Sequence, residues 1–172
     1  MQRLFFALWP DQSLRSRLNR LVRELPEHAG QHHHPDDLHM TLVFLGAVAP
    51  EQQACIERIG DEIQLDPFTL YLDQVDYWSR PRILCLGVSD PPSLLTSLLQ
   101  SLQSELMGCG FEPEKRPYKP HVTLSRKAKQ KYAFSLDSPI EWPVSEFVLA
   151  GSSAGGKPPR YQVLKRWPLR NV

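Results

Sequence analysis

The 172-residue chain has little that would staple it, anchor it or leave it disordered. Its three cysteines, Cys55, Cys85 and Cys109, are an odd number, lie far apart and form no C-x-x-C pair. Neither a disulfide framework nor a thiolate zinc site is expected from them, and a reducing compartment is the simpler reading. No neighbouring residue would lower a thiol pKa as a catalytic cysteine needs. The apolar run near the start, Leu4–Trp9, is too short for a signal peptide or a bilayer span, which points to the cytoplasm. Low-complexity segments and long linkers are absent. Net charge is nearly absent too, with 20 Lys and Arg against 19 Asp and Glu. By itself that balance argues against a basic nucleic-acid coat or an acidic tail.

The balance is an average of two unlike parts. Residues 1–114 carry 16 acids and 8 bases, whereas residues 115–172 carry 12 bases and 3 acids. Hydrophobic residues make up 41% and charged residues 23%, an ordinary globular composition for one domain. Arg3–Trp9 reads as a buried strand, and Asp11 can cap a helix bearing Leu14, Leu18 and Val22 on one face. Pro26–Asp37 is expected as a loop, Leu38–Leu45 as a strand ending at Gly46, and Pro50 to about Gln64 as a helix. Phe68–Trp78 and Ile83–Val88 follow as strands. Leu95, Leu98, Leu99, Leu102 and Leu106 then mark a helix closed by Gly108 and Gly110. Further strands are expected at His121–Arg126, Glu146–Ala150 and near Tyr161–Trp167, with a Gly/Pro/Ser loop over Gly151–Pro159. Strict βαβ alternation is missing, so the expected class is α+β, in one compact two-lobed domain over residues 1–172.

One pattern recurs. His39-Met40-Thr41-Leu42 and His121-Val122-Thr123-Leu124 are both H-x-T-L, 82 residues apart. With six His, four Thr and 25 Leu, a random order would give roughly 0.02 copies, so two copies carry meaning that one would not. In a strand, residues i and i+2 share a face, so each motif sets an imidazole beside a hydroxyl and turns Met40, Leu42, Val122 and Leu124 to a core. Two such strands around a pseudo-twofold axis would converge two His and two Thr on one cleft. An imidazole titrates near 6.5, so one ring can accept a proton from a nucleophile while its partner donates to a leaving oxygen. The Thr hydroxyls can hold non-bridging phosphate oxygens. This chemistry suits phosphodiester cleavage and requires no metal or other cofactor.

At these residues the chain resembles the two-histidine (2H) phosphoesterase superfamily, and within it the bacterial RNA 2′,3′-cyclic phosphodiesterases, historically called 2′–5′ RNA ligases. Arg3-Leu4-Phe5-Phe6-Ala7, Phe44-Leu45-Gly46, Pro120 with Ser125-Arg126, and Tyr161–Trp167 extend the likeness beyond the two motifs. The resemblance implies a bilobal α+β fold with antiparallel sheets lining a central cleft and helices outside. It also implies His39 as proton donor, His121 as proton acceptor, and Thr41, Thr123 and Arg126 as phosphate ligands. Arg126 lies five residues after His121, on the opposite face of an ideal strand, so it can join the site only where the strand ends or bulges. The implied reaction opens a terminal 2′,3′-cyclic phosphate on RNA to a 2′-phosphate. Joining RNA halves through a 2′–5′ bond would use the same site in reverse, with a 5′-hydroxyl exchanged for water.

Other residues bear on the partner. His32-His33-His34, near Asp36 and Asp37, invites a metal, but consecutive side chains diverge, and a solvated loop at the cleft mouth is the expectation. Lys115–Lys131 holds seven bases and no acid around the second motif, and Lys157–Arg170 adds five, which suits an RNA backbone. Tyr118 and Trp78 could stack a terminal base or pack at strand ends. The expected partner is RNA with a cyclic phosphate end, tRNA fragments included, bound by a monomer with no membrane and no obligate protein partner. Two alternatives stay open: the same enzyme type on a small cyclic nucleotide, a nucleotide-sugar cyclic phosphate or a 2′–5′ oligonucleotide, and a non-enzymatic RNA-end-binding module.

Overall fold

The computed structural model describes residues 1–153 and 155–170; Ala154, inside the expected Gly/Pro/Ser loop, and residues 171–172 lie outside them. Strand β1 (Gln2–Leu8) leads to helix α1 (Gln12–Arg23), where the Asp11 carboxylate accepts the Leu14 N–H at 2.8 Å. Leu14, Leu18 and Val22 are its buried stripe, as the spacing predicts. A two-residue strand β2 (Gln31–His32), absent from the sequence reading, and β3 (Met40–Val48) precede α2 (Pro50–Glu62). Then come β4 (Phe68–Trp78), β5 (Ile83–Gly87), α3 (Ser93–Leu106), β6 (His121–Arg126), β7 (Phe134–Val144), β8 (Glu146–Ser152) and β9 (Tyr161–Pro168).

The strands form two antiparallel sheets, ordered β3-β1-β8-β9 and β2-β6-β5-β4-β7, so the class is α+β. One continuous core joins them: Phe6 and Leu8 of the first sheet belong with Leu70, Leu84, Leu86 and Leu124 of the second and with Leu98 and Leu102 of α3. Trp167 from β9 lies over α2, where its Nε1–H donates to the Asp61 carboxylate at 2.8 Å.

Besides β2, three features depart from the sequence reading. Strand β7 was not expected; it carries Pro139 and Pro143, which a central strand would reject, and it lies at a sheet edge pairing only with β4. Strand β3 does not stop at Gly46. Leu4 pairs with Gly46 and Phe5 with Phe44, so Leu45 is an extra residue, and Gly46 at φ +72° sustains the bulge. Third, Cys55 and Cys109 form a disulfide between α2 and the turn after α3, leaving Cys85 free and buried. The cysteine count therefore gives no ground for a reducing compartment. Among the described residues no helix is long and apolar enough to cross a membrane.

Candidate active site

The first motif leads into β3 at the edge of its sheet. The second occupies β6, whose outer side is covered by β2 only at Ser125 and Arg126. β3 and β6 come close to one another, and the Tyr118 hydroxyl ties them by donating to the Thr41 carbonyl at 2.8 Å. Its phenol is thereby a strut between the two motifs.

Both motifs share a local irregularity. In β3, Thr41 pairs with Ala7 and Val43 with Phe6, which leaves Leu42 as an extra residue. In β6, Thr123 pairs with Cys85 and Ser125 with Leu84, which leaves Leu124 extra. The fourth residue of each H-x-T-L is thus a bulge, its side chain buried, with the partly exposed His and Thr before it. Beyond the second bulge the alternation resets. Ser125 is buried and donates to the Ala29 carbonyl at 2.6 Å, and Arg126 emerges into solvent. The condition that spacing set for Arg126 is met by Leu124.

The two imidazoles are held alike. His39 Nδ1 lies 2.6 Å from the carbonyl oxygen of Asp37, and His121 Nδ1 lies 2.8 Å from that of Lys119. A carbonyl only accepts, so each Nδ1 carries the hydrogen and each Nε2 is left to do chemistry. His39 Nε2 is 3.0 Å from Thr41 Oγ1. The His39 ring stacks on Trp9 with centroids 5.1 Å apart and planes 8° apart, and meets Phe5 and the edge of Tyr161. The His121 ring lies 4.3 Å from Trp78. Burial among these rings pulls the His39 pKa down to about 4, opposed by its bond to the Asp37 carbonyl and assisted by the charges of His121 and Arg126. Burial also lowers His121, against the pull of the Lys119 carbonyl. Both rings are therefore neutral at pH 7 before an anion arrives.

A cleft of about 1200 Å³ contains Thr41 and His121 and is walled by Trp78, Arg80, Lys115 and Lys119. A smaller recess of about 50 Å³ holds His33, Arg126, Arg160 and Tyr161. The basic run is therefore divided: Lys115, Arg116 and Lys119 reach the large cleft, Arg126 the recess, and Lys127, Lys129 and Lys131 are simply exposed. Thr123 is half-buried on β6, two residues from His121.

The histidine triplet does not behave as a uniformly solvated loop. His32 is exposed in β2; His34 Nδ1 accepts the Asp36 N–H at 3.1 Å; and His33 turns inward to receive Arg126. Among the described residues no three His, Cys, Asp or Glu side chains gather as a metal site.

Sequence reasoning missed Asp37. Only 3% exposed, its carboxylate accepts the N–H groups of Arg160 and Tyr161 at 2.8–3.1 Å while its carbonyl holds His39. It also missed the Phe5, Trp9 and Tyr161 cage. Its signal lay in the apolar run of β1 and in Tyr161, which a strand pattern explains equally well as core.

A family model, the 2′-5′ RNA ligase superfamily, matches residues 10–156. The chain belongs to this family. An RNA 2′,3′-cyclic phosphodiesterase of Escherichia coli K12 is 36% identical over 172 residues, covering 98% of this chain and 97% of that one. One of Archaeoglobus fulgidus is 31% identical, covering 95% and 98%. The crystal structure of E. coli LigT complexed with 3′-AMP superposes with a TM-score of 0.86 at 36% identity, covering 98% of both chains. The 2′-5′ RNA ligase superfamily fold thus extends over nearly the whole chain.

Proposed function

We propose that the protein is an RNA 2′,3′-cyclic phosphodiesterase, one bilobal domain that opens terminal cyclic phosphates to 2′-phosphates by histidine acid/base catalysis without a metal. The observation that carries this reading is the paired geometry of His39 and His121, each Nδ1 tethered to the carbonyl two residues earlier, which turns each Nε2 to the side of its motif threonine, at 3.0 Å from Thr41 Oγ1 in the case of His39. The activity named for the full-length relatives supports it.

In this reading a water attacks phosphorus and His121 Nε2 takes its proton. The bond from phosphorus to O3′ breaks, and His39, taken to the imidazolium form from solvent as the bound phosphate raises its pKa, gives its Nε2 proton to that oxygen. The products are a 2′-phosphate and a 3′-hydroxyl, with the two rings' protonation exchanged and then reset by solvent. Thr41 and Thr123 hydroxyls donate to the non-bridging oxygens, and Arg126 balances their charge. The burial that lowers the His39 pKa makes its imidazolium the stronger acid, which suits the donor role. A 5′-hydroxyl in place of water would give a 2′–5′ linkage. Lys115, Arg116 and Lys119 would follow the RNA backbone, with the protein acting as a monomer. The substrate class puts it in the cytoplasm, a placement that no longer draws on the cysteines.

The test is incubation of the protein, in chelator, with RNA ending in a 2′,3′-cyclic phosphate and separately with 2′,3′-cyclic AMP. A 2′-phosphate product, with RNA turned over at higher kcat/KM than the mononucleotide, is expected. A 3′-phosphate product, or turnover restored only by added zinc, would refute the reading.

A further inference from the structure

Arg126 is gripped on two sides. Its Nε–H donates to His33 Nε2 at 3.0 Å and its Nη2–H to the Tyr161 hydroxyl at 3.2 Å. A guanidinium has no lone pair to offer, so His33 can only accept, and its proton must sit on Nδ1. That Nδ1 is buried and, among the described residues, has no hydrogen-bond partner. Such an orphaned group is destabilising, and a half-buried imidazole facing cations is a poor choice for packing alone. The backbone fixes the ring: β2 pairs Gln31 with Arg126 and His32 with Ser125, and the His33 N–H donates to the Leu124 carbonyl at 2.9 Å. His33 is thereby registered against the bulge that turns Arg126 outward.

Tyr161, the second grip, is anchored independently. Asp37 accepts its backbone N–H, and its ring edge rests on His39 at 5.2 Å. The guanidinium is thus located relative to His39 through Tyr161 and relative to β6 through His33. Its remaining N–H donors are the ones free to meet an anion.

We propose that His33 is a positioning residue, a neutral acceptor that aims the Arg126 guanidinium at the substrate phosphate; this rests on the reading of Arg126 as a phosphate ligand. Burial, with Arg126, His39 and Arg160 as neighbouring charges, lowers the His33 pKa to about 3, so the acceptor stays unprotonated wherever RNA is stable. The middle histidine of the triplet then has a role that a metal or a solvated loop would not give it.

The experiment compares His33→Ala, His33→Gln, Arg126→Ala and the double alanine variant. It measures kcat/KM on cyclic-phosphate RNA and, independently of turnover, the Kd for inorganic phosphate by ³¹P NMR. His33→Ala is expected to lower kcat/KM and weaken phosphate binding roughly 10-fold. Gln, whose Oε1 can stand where Nε2 stood, should recover most of both. In the Arg126→Ala background, His33→Ala should cost less than twofold more. His33→Leu, which keeps bulk, replaces the alanine variant if that one melts early.

Fully additive losses, or a Gln variant as impaired as Ala at an unchanged melting temperature, would overturn the role of His33. Phosphate binding untouched by Arg126→Ala would overturn it together with the assignment of Arg126. Absence of turnover in the wild type, with the phosphate-binding cycle intact, would strike the cyclic phosphodiesterase reading and leave His33's role standing.

Discussion

At the scale of single residues, the two motif histidines are tuned away from their free values in the same direction. His39 titrates at about 4 and His121 below 6.5 because both are taken out of water. A bound phosphate favours the imidazolium and raises both. The profile of kcat/KM, which reports the free protein, should therefore peak below pH 6.5, and that of kcat should lie at higher pH. A kcat/KM optimum above pH 7 would contradict the burial argument. The same shift bears on stability. The unfolded chain binds a proton at 6.5 where folded His39 resists it, so stability is full above pH 6.5 and declines as pH falls toward 4. Asp37 makes a separate prediction: Asp37→Ala removes the buried acceptor of the Arg160 and Tyr161 N–H groups and should cost about 1–3 kcal/mol in urea unfolding. Asp37→Asn, which keeps an acceptor, should cost less.

At the scale of elements, the bulges at Leu42 and Leu124 connect sequence to site. The H-x-T spacing was legible because strand alternation is strict before the bulge. Arg126 was legible only as a condition, since a bulge leaves no mark on residue types when the inserted residue is a core leucine. Strand β7 left no mark either: its Pro139 and Pro143 are residues that a central strand excludes and that only an edge admits. Gly30 marks where β2 must cross close to β6. At φ +87° it lies so near the strand that a Cβ would meet the Arg126 carbonyl oxygen at 2.2 Å. Gly30→Ala should destabilise the protein by about 1–3 kcal/mol, lower the urea midpoint without changing the slope, and depress activity through Arg126. An unchanged midpoint would mean that β2 does not determine the register of this edge.

Across the whole molecule, the charge division read from sequence survives in a narrower form. Lys165 lies 3.1 Å from Asp61 and 3.8 Å from Glu57, and Arg166 pairs with Glu146, so the end of the chain spends two bases on its own acids. Glu112 and Glu114 also face the large cleft. Arg116 is likewise paired with Glu114, and the bases of the cleft and the recess that remain to meet RNA are Arg80, Lys115, Lys119, Arg126 and Arg160. With about five phosphate contacts, log Kd for a single-stranded RNA end should vary with log salt at a slope near 3.5. Lys119→Gln should reduce that slope by about 0.7, and Lys165→Gln should not alter it. The disulfide was illegible because Cys55 and Cys109 are 54 residues apart, and only the packing of α2 on α3 brings their Cα atoms to 5.8 Å. Closing a loop of that length contributes up to about 4 kcal/mol in the chain-entropy account, so reductant should lower the urea midpoint of the wild type and leave Cys55→Ser unaffected.

The most direct test of the central claim is single-turnover cleavage of cyclic-phosphate RNA by His39→Ala and His121→Ala, measured separately at saturating protein. Each should lose roughly 100- to 10,000-fold in rate while still binding the RNA end. A rate within a few-fold of wild type in either variant would contradict a mechanism built on the two histidines.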